Sequence, residues 1–162
     1  SGQSVSDANL PFAAAHVAGT VQILQGDVRA ARQTIETAAA REHRNAPWLK
    51  ALLDAASDGA HSVEALRAVT SAASDDSLDA STAILAGVAL QRADFVFNRL
   101  LRLQQANEFA PLRVLWLPQT TFLRQHASFG NVLRASNLEI FWARYGRPDV
   151  CKREPRSVAC GE

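Results

Sequence analysis

Apolar residues in the first hundred positions recur at intervals of three and four, which is the spacing of one face of an α-helix. The first such segment contains Leu10, Ala13, Ala14, Val17, Ala18, Val21 and Leu24. Gly26 suits the end of this helix because glycine tolerates a positive φ. Asp27 can begin the next helix by accepting hydrogen bonds from its free N–H groups. The pattern therefore predicts two consecutive helices joined by a short turn.

Four further helices follow from the same periodicity and from residues that start or stop helices. The second helix should end near residues 44–45. Pro47 fits the first turn of a third helix, because its missing N–H costs nothing there. Residues 58–59, an Asp-Gly pair, should end that helix. A turn at residues 74–77 precedes a fifth helix, and a short break at residues 92–93 precedes a sixth.

Within these helices a register of small residues recurs after 34 positions. Three positions of one segment are matched in the next: Ala31, Ile35 and Ala38, then Ala65, Val69 and Ala72. A period of this length is typical of stacked helix-turn-helix units, and alanine lets their helices approach closely. We therefore predict an all-α right-handed solenoid of about three helical hairpins over residues 8–110.

After residue 110, prolines and glycines divide the chain into pieces of one to two helical turns. Most aromatic residues lie in this half, among them Trp116, Phe122, Phe129, Phe141 and Trp142. Repeat proteins need a cap on their terminal units, so we interpret residues 111–146 as an irregular aromatic cap. Residues 1–7 are predicted to be flexible, residues 147–162 to form an extended strap, and residues 1–162 to form one domain.

Charge is unevenly distributed along the chain, although its net value is only +1. Residues 1–91 carry six Lys or Arg and ten Asp or Glu, a balance of −4. Residues 92–162 carry eleven Lys or Arg and six Asp or Glu, a balance of +5. A basic C-terminal half can face phosphates or an acidic partner, or it can be an ordinary solvated surface that pairs with the acidic half.

No apolar run approaches the ~20 residues of a membrane span, so no membrane insertion of this segment is predicted. Windows rich in Val, Ile, Thr and Tyr are missing, which argues against an all-β fold. The sequence begins SGQSVSD, without Met and without the basic and apolar regions of a signal peptide. We interpret it as a domain or processed part of a larger protein.

Gly19, Ala31, Ile35 and Ala38 are spaced by twelve, four and three residues. This spacing resembles that of the tetratricopeptide repeat (TPR), whose two helices meet through small residues at these intervals. The second unit keeps the later alanines but has Leu53 where a small residue is expected. The resemblance implies a TPR-like α-solenoid.

The second half has LRQHASF at 123–129, FWARYGRPDVC at 141–151 and a final Cys at 160. These segments resemble the C-terminal end of TPR-containing bacterial signalling and transcriptional regulator proteins. In those proteins a segment like LRxDPRF precedes a leucine-rich turn, the pattern YWxxxGxPDxC and a final Cys. The region commonly follows a winged-helix or nucleotide-cyclase domain there, often across one membrane span. The resemblance therefore implies a sensory or interaction module.

The two cysteines, Cys151 and Cys160, lie nine residues apart in the predicted strap. A disulfide between them would close a short loop and stabilise the fold by about 2–3 kcal/mol. Two free thiols and, last, a metal site are the alternatives, since a metal needs more ligands at close spacing. We favour the disulfide, which would place the domain in an oxidising periplasmic or extracytoplasmic compartment rather than in the cytoplasm.

The sequence lacks the common motifs of catalysis and cofactor binding. Neither GxGxxG nor GxxxxGKS/T occurs, and no Ser or Cys stands in a recognisable nucleophile motif. His16 lies near the apolar face of the first helix and is interpreted as a packed or interfacial residue. Glu139 and Asp149 could form the carboxylate pair of a small hydrolase, but a surface acid and a capping residue are the simpler interpretation. We predict a non-enzymatic module without cofactor or metal.

Helix phase alone gives candidates for a ligand-binding concave face: Gln22, Gln25, Lys50, Asp54, Gln91 and Arg99. The expected ligand is a peptide, a partner domain or a second copy of the chain in a homodimer. An alternative, ranked below a protein partner, is nucleic acid or an anionic ligand bound by the basic half. Its candidate residues are Arg92, Arg99, Arg102, Arg113 and Arg124. A small hydrolase is the third candidate.

Overall fold

The computed structural model describes residues 10–75, 77–147 and 149–153. Within these ranges every regular element is helical and none is a strand, which confirms the all-α prediction. The α-helices are α1 (Phe12–Leu24), α2 (Val28–Glu42), α3 (Pro47–Asp58), α4 (Ser62–Ala72), α5 (Ala80–Ala89), α6 (Ala93–Gln105), α7 (Thr121–Arg124), α8 (Phe129–Ala135), α9 (Leu138–Tyr145) and α10 (Val150–Arg153). The expectations for residues 1–7, for Pro148 and for residues 154–162 lie outside the described residues.

The chain divides into two compact units, Ser1–Leu90 and Gln91–Glu162. This boundary falls inside the region where the sequence predicts three successive hairpins in one domain. In the first unit α5 packs on α1 and α4, and in the second unit α6 packs on α8. The predicted third hairpin, α5 with α6, is therefore shared between the units, and each unit has its own set of helix contacts.

Helix ends in the first unit lie where capping and turn-forming residues predict them. The carboxylate of Asp27 accepts a hydrogen bond from the N–H of Ala30 at 3.0 Å and caps α2. Gly26 and Gly59 have φ of 84° and 71° just after α1 and α3, a backbone conformation that residues with a Cβ rarely adopt. Pro47 is the first residue of α3. These local signals fix the lengths of the first three helices.

Small residues let the helices of the first unit approach closely. The six residues of the 34-position register are all buried: Ala31, Ile35, Ala38, Ala65, Val69 and Ala72. Helix α1 packs on α2 and α5, and it meets α5 more extensively than it meets α3. One close approach is at Gly19, where an added Cβ would lie 2.4 Å from Cδ1 and 2.6 Å from Cγ1 of Ile35. Glycine at this position therefore sets the distance between α1 and α2.

The core of the second unit contains a chain of aromatic contacts from α6 to α9. Ring centroids are 6.4 Å apart for Phe97 and Phe129, 5.8 Å for Phe129 and Trp116, and 5.7 Å for Trp116 and Trp142, all in edge-to-face arrangements. The short pieces predicted after residue 110 are present as two 3-10 helices, Leu112–Trp116 and Pro118–Thr120, followed by α7, α8 and α9. The aromatic cluster joins these pieces into one core.

Two parts of the second unit differ from the prediction. Phe141, expected in the aromatic cluster, is 55% exposed, because the neighbouring Trp142 is the α9 residue whose ring packs on Trp116. Residues 150–153 form the short helix α10 rather than an extended strap. The N–H of Lys152 donates to the carbonyl of Asp149 at 3.1 Å, which closes the helical turn at that point.

Arg124 is the largest fully buried side chain among the described residues and is only 2% exposed. Its Nη1 donates to the carbonyls of Leu115 and Leu117 at 2.6 and 3.2 Å and to the hydroxyl of Thr120 at 3.1 Å. Its Nη2 donates to the hydroxyl of Thr121 at 3.0 Å. The buried guanidinium thus supplies a donor to the carbonyl of Leu115 and adds one to the carbonyl of Leu117, which also accepts the N–H of Thr120 at 3.1 Å.

We expect Gly19→Ala to destabilise the first unit. Overpacking against Ile35 costs about 1–3 kcal/mol, while alanine gains about 1 kcal/mol over glycine inside a helix, so the net loss should be roughly 1 kcal/mol. Urea unfolding measures the loss. Ile35→Ala removes both close carbons, so combining the two substitutions should cost clearly less than the sum of their separate effects. If the stability losses of the two single substitutions simply add in the double variant, Gly19 and Ile35 are not in close contact.

Arg124→Ala should cost about 3 kcal/mol in the free energy of unfolding, because the Leu115 carbonyl loses its donor, at about 1–3 kcal/mol, and the missing side chain leaves a cavity in the core. Urea unfolding, with amide hydrogen exchange of residues 112–124, measures the change. Arg134→Ala is the matched control, because Arg134 is an exposed arginine of the same unit that bonds only to Asn131 at 2.6 Å among the described contacts. Its effect should stay below about 0.5 kcal/mol. Equal effects of the two substitutions would show that Arg124 does not hold the segment.

Candidate functional site

Two of the six predicted binding residues contact each other. Lys50 and Asp54 contact each other on α3, with Nζ 2.8 Å from Oδ2. Gln22 is half-buried on α1, and Gln25 is exposed at the end of that helix. The remaining two, Gln91 and Arg99, belong to the second unit. The structure thus brings together Lys50 and Asp54, and the other four stay separate candidates.

Lys50 and Asp54 belong to a network of charges between α2 and α3. Arg32 of α2 lies 3.3 Å from Oδ1 of Asp54 and 3.5 Å from Oε1 of Glu36. Hydrogen bonds from Lys50 and then from Arg32 lower the pKa of Asp54 below its usual value. These pairs are partly exposed, so their contribution to stability is small. Their effect is to fix the side chains that border the surface between α2 and α3.

Three clefts open around the connection between α2 and α3, and Asn45 lines all three. We call the first, of about 510 Å³, the aromatic cleft; Phe12, His16 and Trp48 line it. The second, the apolar cleft, has about 180 Å³ and a floor that includes Ile35, Ala39, Leu49 and Leu53. The third, the charged cleft, has about 340 Å³ and is lined by residues that include Lys50, Asp54, His61 and Glu64.

The α2–α3 connection has its shape because α2 ends in a left-handed residue. His43, just after Glu42, has φ 51° and ψ 37°, which turns the chain away from the helix axis. Ala46 is non-helical, and Pro47 then starts α3. The exposed residues His43, Arg44 and Asn45 are therefore presented between two helices.

Glu42 forms one wall of the aromatic cleft and ties two helices together. Its Oε1 accepts the N–H of Phe12 at 2.8 Å, which satisfies a donor at the start of α1 that has no partner within the helix. Arg41 lies 3.4 Å from the same oxygen. The start of α1 is thus held at the end of α2, and Phe12 and Pro11 border the cleft.

His16 lies inside the aromatic cleft, between two rings. Its ring centroid is 5.9 Å from that of Phe12 and 5.9 Å from that of Trp48, both edge-to-face. Its Nε2 lies 3.9 Å from Oδ2 of Asp79, too far for a hydrogen bond. Burial lowers the pKa of His16, and the charge of Asp79 offsets this only in part. The sequence interpretation of His16 as a packed residue agrees with these contacts, and the cleft adds access to solvent.

Asp79 is committed to the start of α5. Its carboxylate accepts the N–H of Thr82 at 2.9 Å and the hydroxyl of Thr82 at 2.6 Å, so Asp79 caps the fifth helix. Burial acts to raise the pKa of Asp79, but the bonds from Thr82 and the charge of His16 outweigh it, and the pKa lies below its usual value. In this pair, His16 is positioned by α1 and Asp79 by the start of α5.

Arg44 is the feature that sequence reasoning missed. Its guanidinium carbon lies 6.0 Å from the centroid of the Phe12 ring, and the residue lines both the aromatic and the apolar cleft. It makes no ion pair with any residue that the structure describes. Helix phase could not select it, because Arg44 lies beyond the end of α2; only the positions of the clefts reveal it.

In the second unit, several candidate residues have structural contacts. Arg124 is buried against backbone carbonyls, which removes it from the predicted anion-binding stripe. His126 stacks on Phe97 at 5.3 Å between centroids, and its Nδ1 accepts the N–H of Ser128 at 3.2 Å. Asp149, one of the two carboxylates considered for hydrolysis, pairs with Lys152 at 2.8 Å on the surface.

Metal and membrane features are also relevant to the choice of site. Among residues 10–75, 77–147 and 149–153, no three His, Cys, Asp or Glu side chains are grouped so that they could hold a metal ion. No helix in the same ranges is long and apolar enough to cross a membrane. The predicted disulfide between Cys151 and Cys160 involves a partner, Cys160, outside the described residues, and it stays a prediction.

The half-buried position of His16 predicts a loss of stability at mildly acidic pH. Its folded-state pKa lies below the ordinary value near 6.5, so the unfolded chain binds the proton first as the pH falls, and folding weakens below that value. The urea midpoint should fall between about pH 7.5 and about pH 5.5. Acidic groups with a lowered pKa, such as Asp54 and Asp79, lose their contribution near and below their ordinary value of 3.8, outside this window.

His16→Gln should reduce this pH dependence, because it removes the titrating ring. His43→Gln is the matched control, because His43 is exposed and makes no ion pair with the described residues, so the pH dependence of the urea midpoint should stay that of the parent protein. If the urea midpoint of His16→Gln changes with pH as much as that of the parent protein, His16 is not the group responsible for the pH dependence.

Comparison with known proteins adds no assignment to this site. No protein-family model, curated protein or solved structure matches the chain. The three clefts around Asn45 are therefore identified as the candidate site from their geometry and chemistry alone.

Proposed function

We propose that the first unit is a non-enzymatic binding module that receives an extended peptide segment of a partner protein. The observation that carries this proposal is the meeting of three clefts at Asn45. An extended chain presents side chains at regular intervals, so adjoining clefts can take successive side chains while the backbone passes between them. A single enclosed cavity would instead favour one small molecule.

The chemistry of the clefts suits a peptide. The side-chain amide of Asn45 makes no hydrogen bond with the described residues, so its donors and its acceptor can pair with a peptide backbone. Trp48 and Phe12 supply an aromatic wall, and Ile35, Leu49 and Leu53 an aliphatic floor. A few polar groups above mainly apolar walls are typical of surfaces that bind by shape and hydrogen bonding.

Binding is favoured over catalysis by the contacts of His16, which lines the aromatic cleft, and of its neighbour Asp79. The carboxylate of Asp79 is committed to capping α5 through Thr82. It lies 3.9 Å from His16, beyond the reach of the hydrogen bond that would orient a catalytic imidazole. Both side chains therefore have structural explanations.

A relation to TPR-containing signalling proteins is part of the same proposal. It is supported by the packing of consecutive helices as α1 with α2 and α3 with α4, and by the burial of the 34-position register at positions such as Ala31 and Ala65. A right-handed solenoid and a role as a sensory module of a bacterial regulator belong to this proposal. The direct packing of α1 on α5 makes the first unit more closed than an open stack of hairpins.

Nucleic acid or another polyanion is the second candidate ligand, and it concerns the second unit. The charge division coincides with the boundary between the units, since residue 91 is Gln: Ser1–Leu90 carries −4 and Gln91–Glu162 carries +5. A basic unit attracts the phosphates of a nucleic acid whatever the base sequence. The burial of Arg124 weakens this candidate, because one of its five arginines no longer faces solvent.

A display library of random decapeptides, selected on the immobilised full chain, tests the proposed function. Selected peptides should bind the parent chain and lose at least about tenfold in affinity on Asn45→Trp, because the indole would fill the point where the clefts meet. Gln33→Trp is the matched control, since Gln33 is an exposed α2 residue that lines none of the three clefts. Failure to select any peptide, or selected peptides that bind Asn45→Trp normally, would exclude a peptide site at these clefts.

A further inference from the structure

We infer that the peptide bound here carries an acidic side chain two positions away from a leucine-sized aliphatic one. The acid binds Arg44, and the aliphatic side chain enters the apolar cleft. This inference rests on the proposed function and specifies its ligand.

The apolar cleft fits one side chain of moderate size. Its volume is about 180 Å³, and a cavity of ~150 Å³ already holds a benzene-sized molecule. Three of its floor residues are fully or nearly fully buried: Ile35, Leu49 and Leu53. An aliphatic side chain that enters this cleft removes its own apolar surface from water, which favours binding.

The charges around the apolar cleft leave a surplus cation. The cations are Arg32, Arg44 and Lys50, and the anions of the same network are Glu36 and Asp54. Arg32 and Lys50 both pair with Asp54, at 3.3 and 2.8 Å, and Arg32 also pairs with Glu36. Arg44 is the cation left over, in a unit whose net charge is −4.

Arg44 has the properties of an anion-binding side chain. Its guanidinium is held near the Phe12 ring at 6.0 Å, which limits the conformational freedom lost on binding. A planar guanidinium can donate two parallel hydrogen bonds to a carboxylate, and such charge-assisted bonds are stronger than neutral ones. A carboxylate on the ligand would therefore complete the charge network of this surface.

The position of Arg44 favours a side-chain carboxylate over a chain terminus. Arg44 lies between the aromatic and the apolar cleft, so the peptide continues past it in both directions. In an extended chain, residues two positions apart point to the same side. An acid at one position and an aliphatic residue two positions away can therefore reach Arg44 and the apolar floor together.

A peptide panel tests the inference with the full chain labelled with ¹⁵N. The reference peptide has a leucine–serine–glutamate core in a glycine–serine frame, acetylated and amidated at its ends. Two companion peptides replace the glutamate by glutamine or by lysine. A third is truncated so that the leucine is its last residue and carries the free C-terminal carboxylate. Amide shifts of residues 42–50 and of the Asn45 side chain give the affinities.

The glutamate peptide should bind roughly fivefold to tenfold more tightly than the glutamine peptide, and the lysine peptide weakest of all. Arg44→Gln should abolish this difference. Arg29→Gln should keep it, because Arg29 is an exposed arginine that lines none of the three clefts. Both substitutions are at exposed positions, so the variants should fold like the parent chain.

Four results would overturn the inference. Equal affinities for glutamate and glutamine, with binding still lost in Asn45→Trp, would refute the acidic preference and leave the peptide site in place. A preference that survives Arg44→Gln would assign the carboxylate to another residue. Tighter binding of the peptide with the free terminus would make the ligand a chain end. No shift with any peptide would refute both the inference and a peptide site at these clefts.

Discussion

The close approach of α1 to α2 at Gly19 is the constraint on which the first unit depends. With no Cβ at this position, the Ile35 side chain can lie directly against the backbone of α1. At the other end of the pair, the N–H of Phe12 donates to Glu42 and holds the start of α1 at the end of α2. The aromatic cleft lies beside this second contact. The shape of the candidate site therefore depends on packing within the helix pair and on a single carboxylate at its end.

Local signals in the sequence were enough to predict most of the helices. Asp27 caps α2 and Pro47 starts α3 as predicted, because capping and proline geometry act within one turn of the chain. The second helix ends at Glu42, slightly before the expected residues 44–45, because His43 adopts the left-handed conformation. Positive φ at a non-glycine residue leaves no clear mark in a sequence.

Features that depend on contacts distant in sequence were not predictable. The burial of Arg124 requires carbonyls up to nine residues earlier to face it, and an arginine in a sequence is ordinarily expected at the surface. Arg44 was missed for a related reason, since its role depends on clefts formed by residues from three helices. Lys50 and Asp54 were found because they lie four residues apart on one helix, where phase is a reliable guide. The division of the chain at Leu90 coincides with a change in the sign of the charge that the sequence does show.

The burial of Arg124 has a consequence for the order in which the second unit forms. The carbonyl of Leu115 takes its donor from Arg124, nine residues later in the chain, whereas the carbonyl of Leu117 also accepts the N–H of Thr120. The segment from Leu112 to Thr120 therefore satisfies Leu117 by local structure but not Leu115. During synthesis or refolding the Leu115 carbonyl should stay hydrated until α7 docks, so the hydrogen bonding of this segment is completed from its C-terminal side.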